Sequence, residues 1–237
     1  MTPTPHAQQP VALVTGGSRG LGLALTESLV GRGWHVVVDA RDAAALDAAT
    51  APLGDQVTAV AGDVTDTHHR ERLADVVRAL GRIDLLVHNA STLGASPMPR
   101  IDALDTDVLR HALEVNVVAP AALTRALLPH LRDSRGTVLA VTSDAAVEAY
   151  ETWAAYAASK AALDQLAAVL AAEEPDLTVH AVDPGDLRTQ MHADAFPGED
   201  ISDRPLPGTV VPHLLRLLDT GHPDVRLRAR ELAEVVR

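Results

Sequence analysis

Residues 11–22 read V-A-L-V-T-G-G-S-R-G-L-G, an apolar run followed by a glycine-rich turn, and a helical pattern follows over residues 23–30. A strand, a glycine turn and a helix in this order form the context that a phosphate-binding loop needs. Gly16 permits a tight turn, while Gly20 and Gly22 allow backbone and helix to approach a pyrophosphate, whose charge is favoured at a helix N-terminus. The stretch predicts an α/β fold with a phosphate site; a glycine turn without a ligand is the alternative.

Strand and helix patterns alternate along the rest of the chain. Further strands are predicted over residues 34–38, 57–61, 83–87, 136–141, 178–182 and, as an edge strand, 225–227. Helices are predicted over residues 43–49, 68–80, 105–115, 121–131, 154–173 and 210–218. This alternation predicts one doubly wound parallel sheet, Rossmann-like, with helices on both faces and a ligand at the carboxyl ends of the strands.

The chain divides into one domain with short appendages. Residues 1–9 are interpreted as a disordered lead-in, residues 10–230 as the domain, and residues 192–208, rich in Pro, Asp and Gly, as a mobile lid over the substrate. The amphipathic tail, residues 226–237, is expected to dock on another subunit or to be disordered.

Composition excludes several classes of partner and site. The net charge is −12 and no cluster of Lys and Arg stands out, which argues against nucleic acid. With no cysteine there are no disulfides and no thiolate ligands, and the eleven histidines lack metal-binding spacing, so no metal is expected. No signal segment and no run of 18 apolar residues occurs, which favours a cytoplasmic protein without a membrane partner.

A second motif lies in an alanine-rich run. Tyr156 and Lys160 are four residues apart, so both side chains project from one helix face. A nearby ammonium favours the phenolate and is expected to lower the pKa of Tyr156, which would make it a usable general acid or base. Ser143 lies at the end of an apolar run thirteen residues before the tyrosine, and Asn116 lies further upstream.

This spacing, with T-G-x-x-x-G-x-G over residues 15–22, resembles the short-chain dehydrogenase/reductase family, and the resemblance extends to about Met191. It implies a catalytic tetrad of Asn116, Ser143, Tyr156 and Lys160. In the reductive direction Ser143 would polarise a carbonyl oxygen and Tyr156 would protonate it. Lys160 would lower the pKa of Tyr156 and bind ribose hydroxyls, and Asn116 would maintain a water relay at a helix kink.

The resemblance also implies a nicotinamide cofactor, and the end of the second strand bears on which one. An acid there binds a ribose 2′-hydroxyl and favours NAD, whereas arginine favours NADP. Alignment puts the discriminating position at Ala40, so Asp39 would point to the opposite face and is interpreted as a solvated carboxylate. Arg41, with Arg19, is then free to bind a 2′-phosphate, and NADP(H) is preferred to NAD(H).

The remaining cofactor contacts follow from the resemblance alone. Asp63 would accept from the adenine amino group, and Thr189 would bind the nicotinamide carboxamide. Three residues depart from the family pattern: His88 and Ser91 in a turn that usually reads N-N-A-G, and Asp183 where Asn is common. The full predicted cofactor set is Gly16, Ser18, Arg19, Gly20, Leu21, Gly22, Arg41, Asp63, Val64, Asn89, Ala90, Tyr156, Lys160, Pro184, Gly185 and Thr189.

The resulting hypothesis is an NADP(H)-dependent oxidoreductase acting on a carbonyl or alcohol of a small molecule. The alternatives are a non-catalytic NADP(H)-binding regulator and a redox-neutral epimerase or dehydratase on the same fold. Substrate determinants are expected in residues 93–98, 145–153 and 192–208, where Glu148, Glu151 and Asp194 either meet a cationic or polyhydroxylated compound or are simply solvated. By analogy with the family, a homodimer or homotetramer is expected through the helices over residues 121–131 and 154–173.

Overall fold

The computed structural model describes residues 9–232. Within them one sheet of seven strands has the order β3-β2-β1-β4-β5-β6-β7, and every neighbouring pair is parallel. The strands are β1 (Val11–Val14), β2 (His35–Ala40), β3 (Val57–Ala61), β4 (Leu85–His88), β5 (Thr137–Val141), β6 (Thr178–Asp183) and β7 (Arg226–Arg228). The predicted doubly wound parallel sheet is confirmed, including its edge strand.

Helices connect the strands on both faces of the sheet. They are α1 (Gly20–Gly31), α2 (Ala43–Thr50), α3 (Thr67–Leu80), α4 (Thr106–Leu113), α5 (Ala119–Ser134), α6 (Ala154–Glu173), α7 (Gln190–Ala195), α8 (Val211–Thr220) and α9 (Ala229–Leu232). Asp42, Asp66 and Asp105 begin α2, α3 and α4 by accepting a backbone N–H with their carboxylates, the usual way to satisfy a first-turn donor.

The sheet separates two apolar cores because side chains alternate along each strand. Ala12 and Val14 of β1 pack with α1, α8 and α9 in one core, whereas Leu13 packs with α3, α5 and α6 in the other. Strands buried on both faces are near-continuous runs of Val, Leu and Ala, as a parallel sheet covered by helices requires.

The segment around Asn116 is a π-helical turn, Glu114–Val118, inserted between α4 and α5. The sequence predicts that one helix ends at residue 115 and another begins at residue 121; instead, the helical path continues through the π-helical turn. Such turns leave backbone groups less regularly paired than in an α-helix and are frequent at functional sites.

The C-terminal tail differs from its prediction. As far as residue 232 it neither projects from the molecule nor lacks structure, because Leu227, Ala229 and Leu232 are buried in the core with α8, and Arg216 donates to the Leu232 carbonyl. Residues 233–237, and residues 1–8 of the expected lead-in, lie outside the described part of the chain; Gln9 donates to the Gly33 carbonyl. No helix in residues 9–232 has the length and apolar character to cross a membrane.

Candidate active site

A cleft of about 1220 Å³ runs along the carboxyl ends of the strands, where ligands bind in open α/β sheets. We call the part around Gly16, Arg19 and Arg41 the glycine-loop end, and the part around Ser143, Tyr156 and Lys160 the tyrosine end. The predicted site residues that line the cleft are Gly16, Ser18, Arg19, Gly20, Leu21, Arg41, Asp63, Val64, Asn89, Ala90, Ser143, Tyr156, Lys160, Pro184, Gly185 and Thr189. Gly22 and Asn116 lie behind its wall.

The glycine turn has its shape because two of its positions disfavour a side chain. Gly16 has φ of +70°, and a Cβ on Gly22 would lie 2.4 Å from the Gly16 carbonyl oxygen. Asn89 fixes the turn from the neighbouring strand, since its amide donates to the Thr15 and Gly16 carbonyls at 2.8 and 3.0 Å. Because no side chain caps α1 at Arg19, the N-terminus of this helix remains available to an anion at the cleft.

The two arginines of the glycine-loop end are exposed, and neither forms an ion pair or side-chain hydrogen bond with any residue in the described range. Asp63 accepts from the backbone and hydroxyl of Thr65 at 2.9 and 2.8 Å. Burial raises the pKa of the Asp63 carboxyl, but these hydrogen bonds, with the charges of Arg41 and His111, hold it below its usual range. The acid is therefore ionised at neutral pH.

The environment of Asp39 differs from the solvated position that the sequence predicted. Asp39 is fully buried rather than solvated, and its carboxylate accepts from the Gly16 N–H at 2.8 Å and contacts His69 Nε2 at 2.9 Å. The prediction was wrong because strand alternation indicates which face a side chain points to, but not which distant helix covers that face.

At the tyrosine end, α6 presents the two residues of the Y-x-x-x-K motif together. Tyr156 is 7% exposed and Lys160 2% exposed, and Lys160 Nζ lies 5.6 Å from the centre of the phenol ring. Lys160 donates to the Val141 carbonyl at the end of β5 at 2.7 Å. Burial lowers the pKa of Lys160 to about 8, although Asp164 acts in the opposite direction.

The pKa of Tyr156 is raised, not lowered as the sequence suggested. Burial is the largest cause, and the negative charges of Asp183 and Asp144 add to it, while the nearby Ser143 and Ser91 hydroxyls oppose it. A helical Tyr-Lys pair in solvent would keep both groups hydrated, whereas here burial disfavours the charged phenolate. The phenol therefore keeps its proton at neutral pH.

Ser143 is held in place from two sides. Its hydroxyl donates to the Asp144 carboxylate at 2.9 Å, and its carbonyl accepts from Arg226 of β7 at 3.0 Å. Arg226 also donates to Asp164 of α6 at 2.8 Å, which links the serine loop, the edge strand and the tyrosine helix. The edge strand thus supports the serine from 83 residues away in sequence.

Asn116 does not reach the cleft. Its side chain exchanges hydrogen bonds with the backbone of Thr92, both at 2.9 Å, and donates to the Ser159 hydroxyl at 2.8 Å. Ser159 in turn donates to the Tyr156 carbonyl at 2.7 Å. Asn116 therefore joins the substrate-side loop to the tyrosine helix; its expected part in a water relay stays a prediction.

The expected substrate loops form an aromatic cluster beside Tyr156. Trp153 lies 5.7 Å from Tyr156, 5.7 Å from Tyr150 and 5.6 Å from Phe196, measured between ring centres. The chain has only two Trp, two Tyr and one Phe, so four of its five such rings meet here. The other apolar side chains packed with this cluster are Leu93, Met98, Ala145, Ala157, Met191 and Ala195.

The three acids of these loops have partners within the chain. Glu148 accepts from Arg228 at 2.9 Å, Glu151 from Arg100 at 3.3 Å and Asp194 from Gln190 at 2.8 Å. None of the three is among the residues that line the cleft. This arrangement gives no support to a cationic substrate.

Comparison with known proteins agrees with this geometry. A family model described as short chain dehydrogenase matches residues 10–200. The chain belongs to the short-chain dehydrogenase family. An uncharacterised oxidoreductase of Schizosaccharomyces pombe is 33% identical over 183 residues, which cover 77% of this chain and 73% of that protein.

Two solved structures of short-chain dehydrogenases have the same fold over nearly their whole length. One, from Shigella flexneri and complexed with NADP, has a TM-score of 0.87 at 29% identity and covers 93% of this chain and 97% of that one. The other, from Escherichia coli and complexed with NADPH, has a TM-score of 0.87 at 30% identity and covers 93% and 96%.

This short-chain dehydrogenase has two unusual residues near the tyrosine end, of which Ser91 lines the cleft. His88 is buried and pairs with the Thr124 hydroxyl at 2.8 Å; burial, with the charge of Lys160, lowers its pKa to about 4, so it is neutral. The Ser91 hydroxyl is buried without a hydrogen bond of ordinary length in the described residues, yet it lies near enough to the Tyr156 phenol to lower its pKa. In the sequence, both differ from the family pattern N-N-A-G, and nothing else there indicates their positions in the site.

Two further supports of the site were not predicted. Asp144 directly follows Ser143, so its hydrogen bond with the Ser143 hydroxyl could have been inferred from the sequence. Arg226 gave no such signal, because its role depends on β7 lying beside β6 in the sheet.

Proposed function

We propose that this short-chain dehydrogenase is an NADP(H)-dependent oxidoreductase that reduces a carbonyl of a small molecule, or oxidises the corresponding alcohol. One observation carries the proposal: a single cleft joins a glycine loop, with two arginines that are unpaired within residues 9–232, to a buried, protonated tyrosine beside a lysine and a serine. Either half alone would be compatible with a different function, but together they suit a phosphorylated redox cofactor and proton transfer to its substrate.

The residues of the glycine-loop end fit a dinucleotide with an extra phosphate. The glycine turn and the N-terminus of α1 would hold the pyrophosphate, and the exposed Arg19 and Arg41 would contact the 2′-phosphate. Asp39 does not oppose this fit because its carboxylate is already bound to Gly16 and His69. The NADP and NADPH in the two similar structures lend further support.

The tyrosine end suits proton donation. When bound, the reduced nicotinamide supplies the hydride that a carbonyl carbon accepts. Tyr156 would give its proton to the carbonyl oxygen, and its raised pKa keeps that proton available. The Ser143 hydroxyl, turning from Asp144, would hydrogen-bond the same oxygen. Lys160, held by Val141, would bind ribose hydroxyls.

The substrate side favours an apolar carbonyl compound. Leu93, Trp153 and Met191 line the cleft next to Tyr156. Aromatic rings and thioethers offer broad apolar contact to a ring-bearing substrate. We therefore expect aromatic or alicyclic ketones and aldehydes to be better substrates than keto acids or open-chain keto sugars.

Self-association is part of the proposal. The helices expected to form the interface leave large apolar side chains exposed, with Val118 immediately before α5 at 45% and Val169 in α6 at 42%. Light scattering coupled to size-exclusion chromatography would give the mass of a dimer or tetramer; the mass of a single chain would contradict this expectation.

The test of function is consumption of NADPH and of NADH, measured by absorbance, across a panel of aromatic, alicyclic and aliphatic carbonyl compounds. Selective NADPH loss that disappears in Tyr156→Phe is the expected result. NADPH binding without turnover on any compound would instead favour the regulator. Turnover of substrate with no net change in cofactor redox state would favour the epimerase or dehydratase.

A further inference from the structure

The buried carboxylate of Asp39 lies where it matters for cofactor choice. It occupies the next-to-last position of β2, beside Ala40 and Arg41, and its side chain is 1% exposed. Its side chain lies on the face of β2 opposite to that of Ala40, so it can act on a 2′-phosphate only through its negative charge, which would repel the phosphate. The partners that hold and compensate this carboxylate therefore bear on the choice between NADPH and NADH.

Two donors hold the carboxylate. One oxygen accepts from the Gly16 N–H at 2.8 Å, and the other lies 2.9 Å from His69 Nε2 in α3. A buried carboxylate is stable only when such partners satisfy its oxygens. Because Gly16 has a fixed backbone position, His69 is the partner that a side-chain change can remove.

Arg72 fixes which nitrogen of His69 carries the proton. Its guanidinium lies 3.1 Å from His69 Nδ1 and also donates to the Ala61 carbonyl at 3.1 Å. Guanidinium groups only donate, so Nδ1 accepts and Nε2 carries the hydrogen that bonds Asp39. The ring also presses against Gly62, where a Cβ would lie 2.1 Å from Nδ1, so its position is set by packing as well.

We infer that His69 is a positioning residue for cofactor specificity. By donating to the Asp39 carboxylate and holding it against Gly16, it keeps this negative charge compensated and directed away from the ribose, so that Arg19 and Arg41 meet the 2′-phosphate with less repulsion. The inference rests on the proposed use of NADP(H). His69 touches neither substrate nor cofactor in this role; it acts through Asp39.

The test is calorimetric measurement of NADPH and NADH affinity for the wild type and for matched variants. His69→Leu removes the donor, His69→Gln retains an N–H donor, and His68→Leu changes the neighbouring histidine, whose side chain is 90% exposed. We expect His69→Leu to reduce the NADPH:NADH affinity ratio about tenfold or more. His69→Gln should restore most of it, and His68→Leu should leave it within about twofold.

A double variant identifies the mechanism. If His69 acts by restraining the Asp39 charge, adding Asp39→Ala to His69→Leu should return the ratio to that of Asp39→Ala alone. Binding of 2′,5′-ADP and of 5′-AMP should show the same changes, which would localise them to the phosphorylated ribose. Should His69→Leu not fold, as judged by thermal unfolding, Arg72→Ala tests the same network from its exposed end, with a fall of about threefold expected.

The outcomes separate the two claims. A wild-type protein that binds NADPH no better than NADH contradicts the proposed cofactor. A wild type that prefers NADPH, with a His69→Leu variant of unchanged ratio or with equal losses for both cofactors, overturns the role of His69 and leaves the proposed function standing.

Discussion

The two ends of the cleft handle charge in opposite ways. At the glycine-loop end, Arg19 and Arg41 are exposed and unpaired among the described residues, so their charges remain fully solvated until a ligand binds. At the tyrosine end, Tyr156 and Lys160 are almost completely buried, and both pKa values shift toward the neutral form. Exposed charge suits recognition of an anion, whereas burial changes acid strength. The comparison predicts that changes at one end alter binding and changes at the other alter turnover.

The largest effect should come from Tyr156→Phe. Loss of the phenol proton is expected to reduce kcat by about 10²- to 10⁴-fold, because Tyr156 is the proton donor of the proposed reaction. NADPH affinity, measured by fluorescence titration, should stay within about threefold. Retention of most activity would show that Tyr156 at the tyrosine end is not the proton donor.

Arg41→Ala tests whether the glycine-loop end binds the 2′-phosphate of NADPH. We expect NADPH affinity to fall about ten- to hundredfold, as for loss of a charge-assisted hydrogen bond, while NADH affinity changes by less than about threefold. Arg110→Ala, an exposed arginine paired with Asp107 in α4, is the control and should change neither. Equal losses for both cofactors would exclude a contact between Arg41 and the 2′-phosphate.

The pH dependence of kcat/KM tests whether burial lowers the pKa of Lys160. Lys160 has a pKa near 8, below its ordinary value, so its ammonium is present below pH 8 and is lost as the pH rises through that value. Activity that needs the charge should decline about tenfold per pH unit above pH 8. Asp164→Asn removes a charge that raises the pKa of Lys160 and should move the decline to lower pH. A flat profile to pH 10, or a move to higher pH, would count against this assignment.

The smallest effect should follow from Ser91→Gly, which restores the common family residue. Its hydroxyl lowers the pKa of Tyr156, so its loss should make the phenol a weaker acid and reduce kcat about two- to fivefold. NADPH affinity should not change. Stopped-flow single-turnover rates with NADPH would measure it, and Ser91→Ala, which removes the same hydroxyl without adding backbone freedom, should give the same fall. An increase in rate would assign Ser91 a purely steric role.

Much of the fold followed from local patterns. Helix α6 has the predicted bounds, residues 154–173, because an alanine-rich run between a turn and a polar end has few alternatives. The start of α1 was predicted three residues late, at Leu23 instead of Gly20, because glycines are poor helix formers that the glycine turn nevertheless places in the first turn. The tail was predicted least well, since the pairing of β7 with β6 joins segments far apart in the chain.

In the candidate site, too, features that depend on local sequence were predicted and features that depend on distant contacts were not. Spacing alone brought Tyr156 and Lys160 to one helix face, and the glycine pattern located the anion-binding turn, because both depend on backbone geometry over a few residues. The sequence could not give the direction of the Tyr156 pKa shift, because the burial of the phenol depends on all the segments that pack around the ring. It also could not show that Asp39 meets His69, 30 residues away.

The order of strands and helices along the chain, the glycine turn and the residues at the carboxyl ends of the strands can all be inferred from local sequence patterns. Which of those residues are solvated, which are paired and which protonation state each favours depends on the tertiary structure. The physical reason is that secondary structure depends on short-range periodicity, whereas desolvation and hydrogen-bond partners depend on contacts between segments that the sheet brings together. Asp39 and Arg41 lie two residues apart in sequence. Asp39 is buried and paired with the distant His69, whereas Arg41 is exposed and accessible to a ligand.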